Sequence, residues 1–385
     1  MELLYPMVIS AVAVLATLIY ASYLDIKDRR VPFKTWYPML IIGIPASVWL
    51  LYMKTGNFSL ILGYLSLIVS FFYANYLDSH EPGEPFRFEY LGITLVLPAL
   101  SWLVLPTTFN PALVPWYAMF AGIFGYISYI TWKQKPEGKV RPKRKIRESN
   151  VEEALNRWYF ILIVVILAIT SVLMFISGGW GAPALFVLLP AVFCGVFYLF
   201  GRMHLFGGAD AWALIFISFC IPTFPFTPIL GNTPLGFLAF SVLINALLLN
   251  LVAPLGIFAL NLIRGNRAPL MYMFFGFPVN GEHIQQEWGF VMEEFDEKKG
   301  QVSRKFIEFW DSIRRMYAAE GRVYTKDLRE HPEEFSEELA LCKKAGTVWI
   351  SYAVPFIIPI TAGLISAVIF GDFLLAIMKF FVTGA

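Results

Sequence analysis

Long apolar runs alternate with short charged segments along the whole chain. Ten runs predict membrane helices: 6–24, 36–53, 58–77, 91–105, 115–132, 158–177, 182–200, 210–230, 235–262 and 347–370. An α-helix rises 1.5 Å per residue, so roughly 20 apolar residues cross the hydrocarbon layer of a bilayer. The run at 91–105 is short, and 210–230 is interrupted by Pro222, Pro225 and Pro228, which predicts a re-entrant or tilted path for each. A final piece, 373–382, follows Gly371-Asp372 and is too short to span alone. No internal repeat is evident. The expected fold is an all-α polytopic membrane protein: a bundle of about ten transmembrane helices, with a small cytoplasmic helical region late in the chain.

The pattern divides the chain into five parts. Residues 1–132 and 158–263 are two groups of membrane helices, and 133–157 is a basic, Pro- and Gly-containing linker between them. Residues 264–346 form the sizeable soluble region, and 347–385 a last helix and tail. In the soluble region Phe306, Phe309, Trp310, Ile313, Met316 and Tyr317 recur at helical spacing and predict an amphipathic helix. Leu270 to Phe277 is short, aromatic and Met-rich, and reads as interfacial or as a strand.

Composition agrees with the pattern. Of the 385 residues 58% are hydrophobic and 15% charged, against roughly 25% charged in soluble domains. Cys194, Cys220 and Cys342 form no CxxC pair, and His80, His204, His283 and His331 form no HExxH. No metal or cofactor is therefore expected. Aromatic residues are not interleaved with the basic linker, so nucleic acid is not an expected partner; the lipid bilayer is. The first run lacks a basic residue before it and a small-residue cleavage site after it, and reads as a retained helix. If the N-terminus lies outside, every Lys and Arg except Lys54 and Lys379, of 30, falls on inside loops. That orientation places Asp25, at the end of the first run, and Asp210, at the start of the eighth, at the same depth on the cytoplasmic face.

Two stretches carry candidate chemistry. In Gly207-Gly208-Ala209-Asp210 a carboxylate stands at the edge of an apolar run, where it is costly unless it faces protein or water. The two glycines open the backbone to a passing chain. An Asp in this place also suits a helix N-cap. In Asp25-Ile26-Lys27-Asp28-Arg29-Arg30-Val31-Pro32, Asp28 has arginine partners beside it, and Asp25 lies nearer the apolar run. This stretch also reads as an ordinary charged helix end, closed by Pro32.

The Asp25 stretch resembles the first active-site region of type IV prepilin peptidases and archaeal preflagellin peptidases. Gly207-Gly208-Ala209-Asp210 resembles the Gly-x-Gly-Asp motif those enzymes share with presenilin-type proteases, with Ala209 where glycine is usual. The resemblance implies a membrane-embedded aspartic endopeptidase with Asp25 and Asp210 catalytic and Gly207 and Gly208 against the substrate. Implied substrates are pilin-like or archaellin-like precursors, cut at the cytoplasmic membrane face to release a short basic leader. Without a paired-cysteine segment, the expectation is peptidase activity without methyl transfer. The 78–90 loop, with Asp78, Glu81, Glu84 and Glu89 against Arg87, is suited to attract a basic leader and equally reads as a plain solvated loop. Two other functions fit parts of the pattern: a presenilin-like enzyme cutting inside apolar helices, and a proton-coupled transporter, since membrane-edge acids serve as proton relays.

Overall fold

The structure, a computed structural model, describes residues 4–80, 84–103, 113–133, 184–202, 207–231, 233, 235–298, 301–308, 325–351 and 355–383. It comprises two compact units, residues 1–246 with 360–385, and residues 247–359.

The first unit opens with α1 (Leu4–Asp28), which ends where Arg29 takes a left-handed conformation (φ 51°), with Pro32 following. A 3-10 turn, Phe33–Trp36, leads into α2 (Tyr37–Thr55). Gly56 (φ 59°) closes α2, and the Asn57 side chain accepts the Leu60 N–H at 3.2 Å to start α3 (Phe58–Ser79). Next come α4 (Phe88–Leu103), α5 (Leu113–Lys133), a π turn at Ala184–Leu188, α6 (Leu189–Arg202) and α7 (Gly208–Cys220).

Helix α7 is the core of this unit. From Ala213 to Cys220 every residue is buried, as expected of a helix apolar on all faces. It stops because Pro222 follows, which leaves buried carbonyls without intrahelical partners. Side chains of three other helices satisfy them. Tyr64 Oη donates to the Phe219 carbonyl, and Ser10 Oγ and Ser47 Oγ (2.7 Å) donate to that of Cys220. Gly43 of α2 lies so close that a Cβ there would meet Cys220 Cβ and Sγ at 2.6 Å.

Helix α8 (Leu238–Asn250) continues into α9 (Val252–Ile263). At the end of the chain, α13 (Ile357–Phe370) and α14 (Phe373–Thr383) meet at a 51° bend. Asn245 holds that bend. It donates to the Gly371 carbonyl (2.8 Å) and Ser366 Oγ (3.1 Å), and accepts the Phe373 N–H (2.9 Å).

The second unit is not helical throughout, which corrects the all-α expectation. After α10 (Leu270–Phe275), β1 (Gly276–Asn280) pairs antiparallel with β4 (Thr347–Ser351), Gly276 opposite Ser351. Strands β2 (Glu293–Lys298) and β3 (Gln301–Phe306) form a hairpin. With α11 (Thr325–Glu330) and α12 (Ser336–Ala345) they enclose a core of Val279, Ile284, Val291, Leu328, Val348 and Ile350. Phe306, read as the start of a helix, lies on β3; the rest of that expected helix, from Phe309, lies outside the described residues, as do the 158–177 run and all but Lys133 of the linker.

The span count is also corrected. Among the described residues, four helices are long and apolar enough to cross a membrane: Leu4–Asp28, Phe33–Thr55, Phe58–Ser79 and Leu238–Ile263. The bent pair at the C-terminus makes five if it counts as one span. Helix α7, at 13 residues, is only about 20 Å long, short of a ~30 Å hydrocarbon layer. The run expected to begin at residue 347 starts instead with β4.

Candidate functional site

Asp25 sits in the last turn of α1 and is half-buried, whereas Asp28, one turn on, is exposed. Asp210 occupies the first turn of α7, with Gly207 as N-cap. The Gly207 N–H donates to the Asp210 carboxylate, and the Gly207 carbonyl accepts the Ala211 N–H at 3.0 Å. This is half of a capping box, with the acid reaching back to the cap. It explains glycine at 207: a Cβ there would lie 2.5 Å from Asp210 Oδ2. Gly208 differs. It is exposed, and a Cβ on it would meet nothing within 4 Å, so the backbone there borders open space.

Though 185 positions apart in sequence, the carboxylates of Asp25 and Asp210 lie within electrostatic range of each other. An aromatic cluster joins the segments that carry them. Phe33, just past the turn that ends α1, packs edge-on against Trp212 (5.5 Å between ring centroids), Phe216 (5.8 Å) and Phe72 (6.4 Å). Trp212 and Phe216, one helical turn apart on α7, stack at 5.1 Å. Trp212 also packs edge-on with Tyr198 of α6 (6.0 Å), whose hydroxyl donates to Asp78 Oδ2 at the end of α3. Ser22, one turn before Asp25, shares a 2.9 Å hydrogen bond with Thr361 of α13.

No sequence pattern groups Phe33, Trp212, Tyr198 and Asp78. The spacing of Trp212 and Phe216 marks one helix face, but nothing in the sequence says which rings meet it. Among the described residues, no group of three or more His, Cys, Asp or Glu is placed to hold a metal ion.

Residues 12–93 match the Type IV leader peptidase family, and residues 268–373 match the family described as Archaeal Peptidase A24 C-terminus Type II. Both matches point to the type IV leader peptidase family. The family is one of proteases, and its substrates are in general pilin-like precursors. The first match runs from within α1, with Asp25, into α4; the second takes in the four strands of the second unit and α13. Gly207, Gly208 and Asp210 lie in neither. None of the curated proteins matches the chain.

Proposed function

We propose that the protein is a membrane-embedded aspartic endopeptidase, and that it removes the leader of pilin-like or archaellin-like precursors at the cytoplasmic membrane face. The observation that carries this reading is the approach of Asp25 and Asp210 from distant helices in a chain of a leader peptidase family. Two carboxylates so placed do not readily both ionise. The ionised member takes a proton from water, the resulting nucleophile attacks the scissile carbonyl, and the protonated member donates to the carbonyl oxygen. The pair acts as one unit, so neither acid is assigned a fixed role. The Gly207 N–H orients Asp210, and the open backbone at Gly208 leaves room for an extended peptide.

Co-expression with a leader-bearing precursor tests the reading. Asp25→Asn and Asp210→Asn each abolish processing while the protein still inserts, and exposed Asp28→Asn leaves most of it. Loss at Asp28 equal to that at Asp25 sinks the assignment of the first acid.

A further inference from the structure

The chain reversal after α9 takes no part in this chemistry. Helix α9 closes the apolar helix Leu238–Ile263, which is long enough to cross a membrane. Gly265 (φ 71°) turns the chain, and the buried Asn261 side chain locks the turn. It donates to the carbonyls of Met273 (2.9 Å) and Gly276 (2.7 Å) and accepts from Asn266 Nδ2 (2.9 Å). Helix α10 is thereby folded back along α9, with Phe274 stacked on Phe258 at 4.3 Å and 5° between the ring planes. Phe258 precedes Ile263, the last residue of α9, by more than one helical turn. At 1.5 Å per residue it lies about 7 Å inside the end of the span, and α10 shares that depth.

The two sides of α10 differ. Tyr272 donates to the Ile307 carbonyl (2.9 Å) and packs on Phe306 of β3 (4.4 Å), and Met273 is buried. Leu270, Met271 and Phe275 lie on the other face and are exposed. On α9, Leu255, Leu260 and Ile263 are exposed in the same way, as on a helix facing lipid. Residues 264–267, between the two helices, carry Arg264 and Arg267. Both are exposed, and among the described residues neither pairs with a carboxylate. Guanidiniums at the end of a span stand at the level of lipid phosphates, which they hold through paired N–H bonds.

We propose that Arg264, Arg267 and the exposed face of α10 form a binding site for anionic phospholipid. The two guanidiniums take the headgroup phosphate, and Leu270, Met271 and Phe275 lie among the acyl chains. Asn261 also holds Gly276, the first residue of β1, so the site fixes the strands against the bilayer surface rather than leaving them on a tether. It is independent of the peptidase reading.

The test uses the full chain in nanodiscs, with a bimane fluorophore on Met271→Cys. The native Cys194, Cys220 and Cys342 are buried, so the label goes to the new thiol. The quencher is a phospholipid with a nitroxide on its acyl chain, either phosphatidylglycerol or phosphatidylcholine. Both lipids are expected to quench. The phosphatidylglycerol does so at a membrane fraction at least about fivefold lower, the scale of one arginine at a membrane surface. Arg264→Gln or Arg267→Gln narrows that ratio, and the two together bring it to about one. Quenching by neither lipid overturns the acyl-chain contact. Equal quenching by both lipids in the unaltered protein, or a preference that survives loss of both arginines, overturns the headgroup site. Inorganic phosphate, against chloride of equal ionic strength, leaves the preference unchanged; if it abolishes the preference, the site takes free phosphate and the lipid assignment is overturned.

Discussion

Phe33 is one contact through which the Asp25 segment reaches the helix that carries Asp210, and Phe33→Ala tests that link. Truncating a fully buried phenylalanine costs about 3–5 kcal/mol. Phe33 is half-buried, which brings the burial part down to ~2 kcal/mol. Its edge-on partners, Trp212, Phe216, Phe72 and Tyr37, contribute roughly 0.5–1.5 kcal/mol each, but they share one ring and do not add fully. A net loss of about 2–3 kcal/mol is expected. If all of it falls on the arrangement that brings the acids together, cleavage slows about 30- to 150-fold. If it falls on the unit as a whole, the loss appears as a lower unfolding midpoint. The assay is kcat/KM on a model precursor, run beside thermal unfolding of the same micelle-embedded protein. Phe33→Tyr keeps the ring and retains most activity. Unaltered cleavage together with an unaltered midpoint in Phe33→Ala refutes the clamp.

Three further outcomes are expected. Ser47→Ala costs only about 0.6 kcal/mol, because Ser10 still serves the Cys220 carbonyl; changing both serines to alanine costs more than the sum, read by unfolding in mixed detergent. In the strand-containing unit, Gly281→Ala drives a Cβ to 2.0 Å from the Cys342 carbonyl oxygen, and the backbone must shift at a cost of about 1–3 kcal/mol, seen as faster amide exchange in β1 and α12. Burial, with Glu293 and Glu338 adding to it, pushes the Cys342 thiol up to about 11. The thiol therefore stays protonated at pH 8, and peptide mapping finds it unalkylated by iodoacetamide until the unit is unfolded or the pH approaches that value.

Local signals made part of this architecture legible. The run at 58–77 became α3, Phe58–Ser79, its start fixed by the left-handed Gly56 and the Asn57 cap. The turn after Asp28 followed from Pro32, and the exposure of Asp28 relative to Asp25 from its place one turn further out. Apolar length alone misled elsewhere. Thr347–Ser351 is as apolar as a helix start, yet it pairs with β1, a partner nearly 70 residues earlier that no local pattern reveals. The span expected at 210–230 stops at Cys220, since its proline cluster ends the helix rather than tilting it. The contacts that bring the two acids together are least legible of all. Phe33 on Trp212, or Tyr198 on Asp78, is a long-range pairing that leaves no periodic trace in the chain.

The central claim is that Asp25 and Asp210 work as one unit, and a double-mutant cycle on precursor cleavage measures this most directly. With purified protein, kcat/KM is determined for Asp25→Asn, Asp210→Asn and the double variant. The account predicts that either single change removes nearly all activity and that the second removes no more. Substantial cleavage by either single variant, or losses that multiply in the double, contradicts it.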